Sequence, residues 1–287
     1  MNRNLFQLQS AVDTLGGWLT DADRVLVTAG AGLTAAAGYD YGDADRFREL
    51  FPALFRMGLR SRYTVGVRLP PALRWGYWAV HINDIRFAPA PNPLYQRLRV
   101  LIGDKDHWAV TSNVDALFAR NGFAADRILT RQGDYGRYQC SVPCTSATWD
   151  SKALVDRLLT AYDPATGTVD PTAVPLCPNC ASEVEINVRV GPQFVDAPYV
   201  SARRRLSRWL HTAPADTKLL IMEFGAGFNT PGVIRWPGEQ LARDFPYSRF
   251  ARINPSDAET PAELAGRALP VRAGAAELLE ALTIFDR

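Results

Sequence analysis

The sequence predicts an α/β protein with a doubly wound, Rossmann-like parallel sheet, a small zinc-binding module and a helical lid. Four short apolar runs are separated by stretches long enough for helices, and glycine, asparagine or another polar residue follows each run. This alternation is typical of a parallel sheet covered by helices on both faces. The second observation is that the four cysteines fall into two close pairs, a spacing that is typical of a metal-binding module.

The N-terminal segment is predicted to form an amphipathic helix. Its apolar positions Leu5, Leu8, Val12, Leu15 and Leu19 lie three or four residues apart, with polar residues between them. That spacing places them on one face of a helix. The segment lacks the continuous apolar core of a signal peptide, so it is predicted to belong to the folded protein.

The predicted strands are the apolar runs Val25 to Thr28, Trp108 to Thr111, Leu219 to Phe224 and Phe250 to Ile253. A helix-like stretch from Leu94 to Ile102 precedes the second strand. Because helical lengths of chain separate the strands, we expect them to lie parallel in one sheet.

Two segments interrupt this pattern and define the predicted domains. Residues 43–91 are rich in aromatic residues, arginine and proline and are expected to form the helical lid. Residues 136–214 contain every cysteine and are expected to form the zinc-binding module. The nucleotide-binding domain is assigned to residues 1–135, into which the lid is inserted, and residues 215–287.

The balance of charge argues against a nucleic-acid-binding protein. The 287 residues include 32 lysines and arginines against 30 aspartates and glutamates, and the basic residues are scattered apart from a short cluster at Arg203 to Arg205. A nucleic-acid-binding protein typically concentrates its basic residues on one face. No apolar stretch approaches the roughly 20 residues needed to cross a bilayer. We therefore expect no membrane partner and a cytoplasmic location, where cysteines stay reduced.

A glycine-rich turn, Thr28-Ala29-Gly30-Ala31-Gly32-Leu33-Thr34, lies where the first strand gives way to a helix. The backbone N–H groups of such a turn can face a phosphate. Taken alone, the turn is equally consistent with a structural role, since glycine turns end many strands. Three further strand ends carry polar or glycine motifs, at 111–115, 225–230 and 253–255. Because ligands of doubly wound sheets bind beyond the carboxyl ends of the strands, the four motifs together predict a nucleotide site.

The cysteines are predicted to hold one structural zinc ion. Cys140 and Cys144 are separated by three residues and Cys177 and Cys180 by two, and turn-forming residues lie within both pairs. Two such pairs supply the four thiolates of a tetrahedral zinc site, which leaves no open position for catalysis. The alternative is that the cysteines are unpaired and buried.

These motifs, in this order, resemble the sirtuins, a family of NAD-dependent deacylases and ADP-ribosyltransferases. The family's GAG turn matches Gly30-Ala31-Gly32, its Thr-Gln-Asn-x-Asp motif matches 111–115 with Ser112 in place of glutamine, and the cysteine pairs stand where the family keeps its zinc module. The resemblance implies that NAD is the co-substrate. The residues that it assigns to NAD are Ala29, Gly30, Ala31, Gly32, Thr34, Gly38, Tyr41, Phe47, Asn113, Asp115, Gln132, Gly225, Ala226, Gly227, Asn229 and Asn254.

One departure from the deacylases bears on function. Sirtuin deacylases carry a catalytic histidine before a glycine, whereas this chain has Gln132 before Gly133. The segment from Gln132 to Cys144 resembles instead the macrodomain-linked class M sirtuins, which are protein ADP-ribosyltransferases. That resemblance implies that Asn113 and Gln132 are the catalytic pair.

The glutamine changes what the site can do chemically. During deacylation histidine removes a ribose hydroxyl proton because its pKa lies near neutrality, whereas a carboxamide only donates and accepts hydrogen bonds. His107 and His211 both precede their strands and are expected to lie far from the site. His81, in the lid, is the one histidine that could approach the cleft, and we expect it to be packed or exposed instead.

Three carboxylates, Asp40, Asp115 and Asp134, are predicted to lie near the site. They are suited to orient an acceptor, although Asp115 is expected mainly to fix the backbone and Asp134 to cap its turn. Phe47 is expected either to cover the reactive sugar carbon, as a mobile phenylalanine does in the family, or to pack at the surface of the lid.

The predicted activity is transfer of ADP-ribose from NAD to a protein side chain. A sirtuin-type deacylase, a non-catalytic sensor of NAD or ADP-ribose and an NAD glycohydrolase remain as alternatives. By analogy with class M, the acceptor is expected to be a lipoyl-carrier protein, and a separate macrodomain hydrolase is expected as a partner.

Overall fold

The computed structural model describes residues 3–63, 69–88 and 91–285. For residues 3–5 and 283–285 it describes the backbone only. Parts of the predicted lid, at 64–68 and 89–90, lie outside the described residues. The strands are β1 (Arg24–Ala29), β2 (Asp106–Thr111), β3 (Ile128–Thr130), β4 (Gly133–Cys140), β5 (Trp149–Asp150), β6 (Tyr162–Asp163), β7 (Thr168–Val169), β8 (Val184–Val188), β9 (Leu219–Phe224), β10 (Arg249–Ile253) and β11 (Ala268–Val271).

The helices include every helix that the sequence predicted, among them the N-terminal helix and the helix before β2. A π-helical turn, Asn83–Phe87, extends one of them. The α-helices are α1 (Arg3–Asp21), α2 (Ala31–Ala36), α3 (Ala44–Leu50), α4 (Pro52–Arg56), α5 (Pro71–Ile82), α6 (Pro93–Ile102), α7 (Leu117–Arg120), α8 (Lys152–Thr160), α9 (Ala197–His211), α10 (Arg235–Asp244) and α11 (Ala275–Phe285).

The main sheet has six parallel strands in the order β11-β10-β9-β1-β2-β3. Counted along the chain within this sheet, the order is 3-2-1-4-5-6, which is that of the doubly wound dinucleotide-binding fold. The predicted fold class is therefore confirmed. The strand order reverses between β1 and β9, and ligands of such sheets bind in the crevice at that point.

Helices cover both faces of the sheet. On one face, α1, α6 and α11 bury alternate strand residues such as Val25, Val27 and Met222. On the other face, α9 and α10 pack over the intervening residues, among them Leu26 and Ile221. Burial on both faces explains why each strand is a continuous apolar run rather than an alternating one.

The lid and the cysteine-containing segment share one hydrophobic core and form a second domain. Phe51 and Trp75 of the lid pack in the same cluster as Val155 and Ile186 of the cysteine-containing segment. Gly76, in α5, lies so close to the backbone of the β6–β7 turn that a Cβ atom there would be 2.2 Å from the carbonyl oxygen of Gly167. The predicted lid and the cysteine-containing segment thus pack against each other.

Helix α9 (Ala197–His211) connects the predicted module to the large sheet. It lies within the predicted range 136–214, and its buried residues Tyr199, Leu206 and Trp209 pack on the large sheet. Sequence analysis missed the two edge strands, because β3 has only three residues and β11 contains Pro270, which is tolerated at an edge but weakens a strand signal.

Among the described residues, no helix is both long and apolar enough to cross a membrane.

Candidate active site

A cavity of about 180 Å³ lies at the carboxyl edge of the sheet, between the sheet and the second domain. The ends of neighbouring strands meet there, because Ala29 is in register with both Thr111 and Phe224. The cavity is lined by Ala31, Thr34, Ala35, Tyr39, Tyr41, Tyr63, Ser112, Asn113, Val114, Asp115, Gln132 and Thr230.

The glycine turn packs directly against the loop that follows β9. A Cβ atom on Gly30 would lie 2.6 Å from the carbonyl oxygen of Gly225, and one on Gly32 would lie 2.7 Å from the Gly225 Cα atom. Gly225 also has a positive φ of 59°, which disfavours any residue with a side chain. These three glycines bring two loops together at the point where the strand order reverses.

A buried hydrogen bond joins α2 to the motif after β2. The Thr34 hydroxyl donates to one carboxylate oxygen of Asp115 (2.6 Å), and the Leu117 N–H donates to the other (2.9 Å). Burial raises the pKa of Asp115, while these hydrogen bonds oppose the shift. Asp115 thus fixes the backbone, as predicted, and also lines the cavity.

Asn113 is held in one orientation by the strands beneath it. Its backbone N–H donates to the Thr111 hydroxyl (2.9 Å), and its side-chain NH₂ donates to the carbonyl oxygen of Gly30 (3.0 Å). The Thr111 hydroxyl in turn donates to the carbonyl oxygen of Ala29 (3.0 Å). Two strands and the glycine turn therefore position the Asn113 carboxamide at the cavity.

Gln132 reaches the same cavity from the opposite side. It lies between β3 and β4, and its carbonyl oxygen accepts a hydrogen bond from the Arg189 N–H (2.9 Å). Its side-chain oxygen Oε1 is buried and has no hydrogen-bond partner among the described residues. Buried polar atoms are nearly always paired, so this oxygen is available to accept a hydrogen bond at the cavity.

Three tyrosines in and just before the predicted lid form one wall of the cavity. Tyr41 stacks edge-on against His81, and its hydroxyl lies 3.5 Å from that of Tyr135. Burial raises the pKa of Tyr41 well above its usual value and that of Tyr135 to about 12. Both hydroxyls therefore stay neutral at physiological pH. Tyr39 and Tyr63 complete this wall.

No histidine of the described residues lines the cavity. His81 is completely buried among aromatic rings, burial lowers its pKa well below the usual value, and neither of its ring nitrogens has a hydrogen-bond partner among the described residues. His107 lies at the amino-terminal end of β2, and His211 ends α9. Both histidines therefore lie away from the cavity, as expected.

The other predicted acidic residues do not reach the cavity. Asp134 forms an ion pair with Arg86 (2.9 Å) and accepts a hydrogen bond from the Gly136 N–H (2.6 Å), which is the predicted capping role. Asp40 is exposed and accepts from the Gly42 N–H (2.8 Å).

The structure does not bring Phe47 or Gly38 to the cavity wall. Phe47 is completely buried in the second domain, where its ring packs on Phe51 with centroids 5.1 Å apart. Phe47 therefore lies in the core of the second domain. It neither covers the reactive sugar carbon nor packs at the lid surface, contrary to what was expected. Gly38 has a positive φ of 93° and ends the turn after α2.

The residues predicted on the adenosine side lie on the next strand ends. The Asn254 side chain donates to the carbonyl oxygen of Ala226 (3.2 Å) and accepts from the N–H groups of Ser256 and Asp257 (3.0 Å each). Gly227 and Asn229 belong to the same loop as Ala226. Of this loop, Thr230 is the residue that lines the cavity.

Sequence analysis missed a buried arginine beneath this loop. Arg235 donates to the carbonyl oxygens of Ala226 (2.9 Å), Asp257 (2.9 Å) and Glu259 (3.3 Å). It thereby ties the loop after β9 to the loop after β10. Nothing in its sequence context distinguishes it from a surface arginine. Tyr39 and Tyr63 were missed for a similar reason, since an aromatic residue in or beside a lid is usually part of a core.

The four cysteines converge in the second domain, as predicted. The Sγ atoms of Cys140 and Cys180 are 3.6 Å apart, as are those of Cys144 and Cys177, and all four lie within 4.8 Å of one another without a disulfide. Sulfur atoms about 2.3 Å from a common tetrahedral metal would lie roughly 3.8 Å apart. The donor set therefore fits a metal ion.

Two named proteins are similar to this chain in sequence. No protein-family model matches the chain. It is 40% identical over 241 residues to a Fusarium oxysporum f. sp. cubense protein named "Probable bifunctional ADP-ribose hydrolase/ADP-ribosyltransferase", an alignment that covers 81% of this chain and 40% of that protein. It is 27% identical over 243 residues to a Staphylococcus aureus "Protein ADP-ribosyltransferase", covering 82% of this chain and 73% of that protein. The chain thus spans less than half the length of the Fusarium relative.

Among solved structures, the crystal structure of a Sir2 homologue in complex with NAD superposes with a TM-score of 0.59, at 19% identity, over 95% of this chain and 93% of that chain. The chain has the sirtuin fold. The resemblance to sirtuins that the sequence suggested is confirmed. Both relatives of this chain are named as ADP-ribosyltransferases rather than deacylases.

Proposed function

We propose that this sirtuin-fold protein is an NAD-dependent protein ADP-ribosyltransferase of class M type. The observation that carries the proposal is that the carboxamides of Asn113 and Gln132 face one cavity at the carboxyl edge of the sheet, with no histidine of the described residues beside them. The names of both relatives support the same activity.

The residues at the sheet edge are suited to bind the dinucleotide. In the glycine turn the N–H groups of Gly30 and Gly32 donate to the carbonyl oxygens of Phe224 and Gly225. The turn would therefore present Ala31, which lines the cavity, to the dinucleotide. Asn254 and the loop after β9 extend this edge towards the adenosine side. Thr34 and Asp115 support the wall that faces the nicotinamide half.

The reaction that NAD supplies is cleavage of its nicotinamide–ribose bond: nicotinamide leaves as a neutral molecule with the bonding electron pair, and an acceptor nucleophile then bonds to the sugar carbon and loses its proton. The site needs to orient the sugar, face its positive charge with oxygen atoms and keep water out. The buried Oε1 of Gln132 is suited to accept a hydrogen bond from a ribose hydroxyl or to lie beside that charge. Neither Asn113 nor Gln132 exchanges a proton.

Deacylation by this site is disfavoured for the same reason. It requires a group that removes a ribose hydroxyl proton near neutral pH. The hydroxyls of Tyr41 and Tyr135 are held neutral by their raised pKa. His81 is enclosed in the aromatic core, so it does not substitute for the missing base.

The four cysteines are proposed to bind one structural Zn²⁺. Four thiolates fill a tetrahedral site, so the metal would stabilise the second domain and take no part in the reaction. The Asn179 N–H lies 3.4 Å from the Cys177 sulfur and its side-chain amide lies 3.2 Å from the Cys144 sulfur, contacts that would orient the ligands.

The partners of the reaction follow from the relatives' names and the class M resemblance. We propose a lipoyl-carrier protein as the acceptor, in the cytoplasm. The Fusarium relative's name joins a hydrolase to a transferase, and this chain aligns with 40% of that protein. A separate macrodomain hydrolase that reverses the modification is the corresponding partner proposed here.

The test is to incubate the protein with NAD and a lipoylated carrier protein and to analyse both proteins by mass spectrometry. The proposal expects an ADP-ribosyl group on the carrier protein and release of nicotinamide in equal amount. With an acetyl-lysine peptide in place of the carrier, it expects negligible O-acetyl-ADP-ribose. Robust formation of that product by the unaltered protein would show that the protein is a deacylase.

A Gln132→His variant sharpens this test by restoring a base. We expect only a trace of deacylation, because the site also needs a tunnel for an acyl-lysine side chain. Deacylation by Gln132→His at a rate similar to that of transfer would mean that the base alone separates the two activities.

A further inference from the structure

A second cavity of about 260 Å³ lies beside Gln132. Gln132 lines both cavities. The glycine turn does not contribute to the second one. It is lined instead by three arginines, Arg131, Arg189 and Arg203, together with Tyr199 and the segment after Thr230. An acceptor nucleophile that approaches Gln132 without crossing the dinucleotide would pass through this space.

Positive charge predominates around this cavity. Asp196 lies 2.9 Å from the Arg203 guanidinium and 3.9 Å from that of Arg189. No carboxylate among the described residues pairs with Arg131. Burial lowers the pKa of Arg131, and the positive charges of Arg203 and Arg189 lower it further. Three positive charges thus share one negative charge.

The positive charge continues along the exposed side of α9. Arg203, Arg204, Arg208 and His211 line a shallow concavity of about 520 Å³. Arg204 and Arg208 are exposed, one helical turn apart, and neither is paired with a carboxylate in the part of the chain that the structure describes. The opposite side of α9 is fixed to the sheet by Tyr199, Leu206 and Trp209, so the arginines are presented on a rigid support.

We infer that this basic face, defined as Arg131, Arg189, Arg203, Arg204 and Arg208, is the docking surface for the acceptor protein and that it recognises an acidic segment of that protein. The inference rests on the proposed transferase function for the direction of approach. It goes beyond that function because it specifies the chemistry of the partner. The favoured occupant is a protein rather than a nucleic acid, since the basic face opens directly onto Gln132, where an acceptor nucleophile must arrive. Complementary charge of this kind mainly speeds encounter and selects partners, and it is screened by salt.

The experiment measures binding of a fluorescein-labelled 12-residue peptide of alternating glutamate and glycine, by fluorescence anisotropy, without NAD. The variant Arg204→Glu/Arg208→Glu reverses two charges of the basic face. The control Arg97→Glu/Arg157→Glu makes the same change in net charge at exposed arginines on α6 and α8. We expect at least a tenfold weaker binding by the first variant, a change of less than twofold in the control, and loss of the difference at about 0.5 M salt.

Equal weakening by both variants would overturn the inference, because net charge alone would then explain binding. A single-stranded oligonucleotide of equal charge that binds more tightly than the peptide, and is equally weakened by Arg204→Glu/Arg208→Glu, would overturn it in favour of a nucleic-acid partner. The variant should keep the parent's affinity for NAD. Since peptide binding needs no turnover, failure of ADP-ribose transfer would count against the proposed function while leaving the docking surface in place.

Discussion

The two sides of the NAD cavity differ in how completely their polar groups are paired. On the sheet side, Asn113 donates to the Gly30 carbonyl oxygen, and Asp115 accepts from Thr34 and the Leu117 N–H. On the side of the second domain, the buried oxygen of Gln132 has no partner among the described residues. The polar groups on the sheet side are therefore held by hydrogen bonds within the protein, whereas the Gln132 oxygen is free to accept one.

The difference indicates that the two sides of the cavity have separate roles. Groups held by strand register are rigid before NAD arrives, and such preorganisation avoids the cost of ordering them on binding. Gln132 is carried between strands β3 and β4, at the junction of the two domains, and it also borders the basic face. It is the residue best placed to contact both the ribose and the acceptor.

The largest effect is expected from removal of the proposed zinc ion. Binding energy of a structural metal is folding energy, so Cys177→Ser or strong chelation should cost solubility or folding of the second domain before the chemistry is affected. Limited proteolysis should then cut the second domain while the large sheet resists. Val142→Ala, an exposed position between two of the cysteines, is the matched control and should behave like the parent. Metal-free protein that is correctly folded would contradict the zinc assignment.

Asn113→Ala tests the sheet side of the cavity. We expect kcat to fall by roughly 10²–10³-fold, as when a preorganised group is lost from a transition state, while NAD affinity stays within roughly tenfold. Steady-state kinetics of nicotinamide release and calorimetry with NAD measure the two quantities. A large loss of NAD affinity with normal turnover at saturation would make Asn113 a binding residue instead.

Gly32→Ala tests whether the two loops must touch. The added Cβ atom would lie 2.7 Å from the Gly225 Cα atom, so the loops must separate, at a cost of about 1–3 kcal/mol in the free energy of unfolding. At Gly227, where an added Cβ atom would have no heavy atom within 4 Å, the same substitution should leave the unfolding free energy nearly unchanged. Thermal denaturation of both variants measures this, and equal destabilisation would show that contact between the loops is not the cause.

The smallest effect is expected from pH. Because carboxamides do not titrate and burial raises the pKa of Tyr41 and Tyr135, the transfer rate should be nearly constant between about pH 6 and 9. As the pH falls further, Asp115 should take up a proton earlier than an exposed aspartate, because burial raises its pKa. The transfer rate should therefore fall on the acid side of the pH profile before it falls on the alkaline side. A sigmoidal rise centred near the usual pKa of histidine, about 6.5, would instead reveal a titrating base.

Much of the fold and part of the site could be predicted from the sequence, for a physical reason. The central strands are buried on both faces and are followed by glycine or polar residues, so their positions and the motifs around Gly30 and Asn113 are local signals. The shared core of the second domain depends on packing between distant segments, such as α5 with α8, which no local pattern reports. The same holds for the buried position of Phe47 and for the loop contacts of Arg235.

The central claim is that Gln132 acts by positioning and not by proton transfer, and the most direct test is nicotinamide release from NAD by Gln132→Ala in the presence of the acceptor. Gln240→Ala, an exposed glutamine on α10, is the control and should match the parent. The account predicts a fall in kcat of at least about 100-fold with NAD affinity little changed, because a misplaced ribose loses the advantage of orientation. Turnover by Gln132→Ala within twofold of the parent would contradict it.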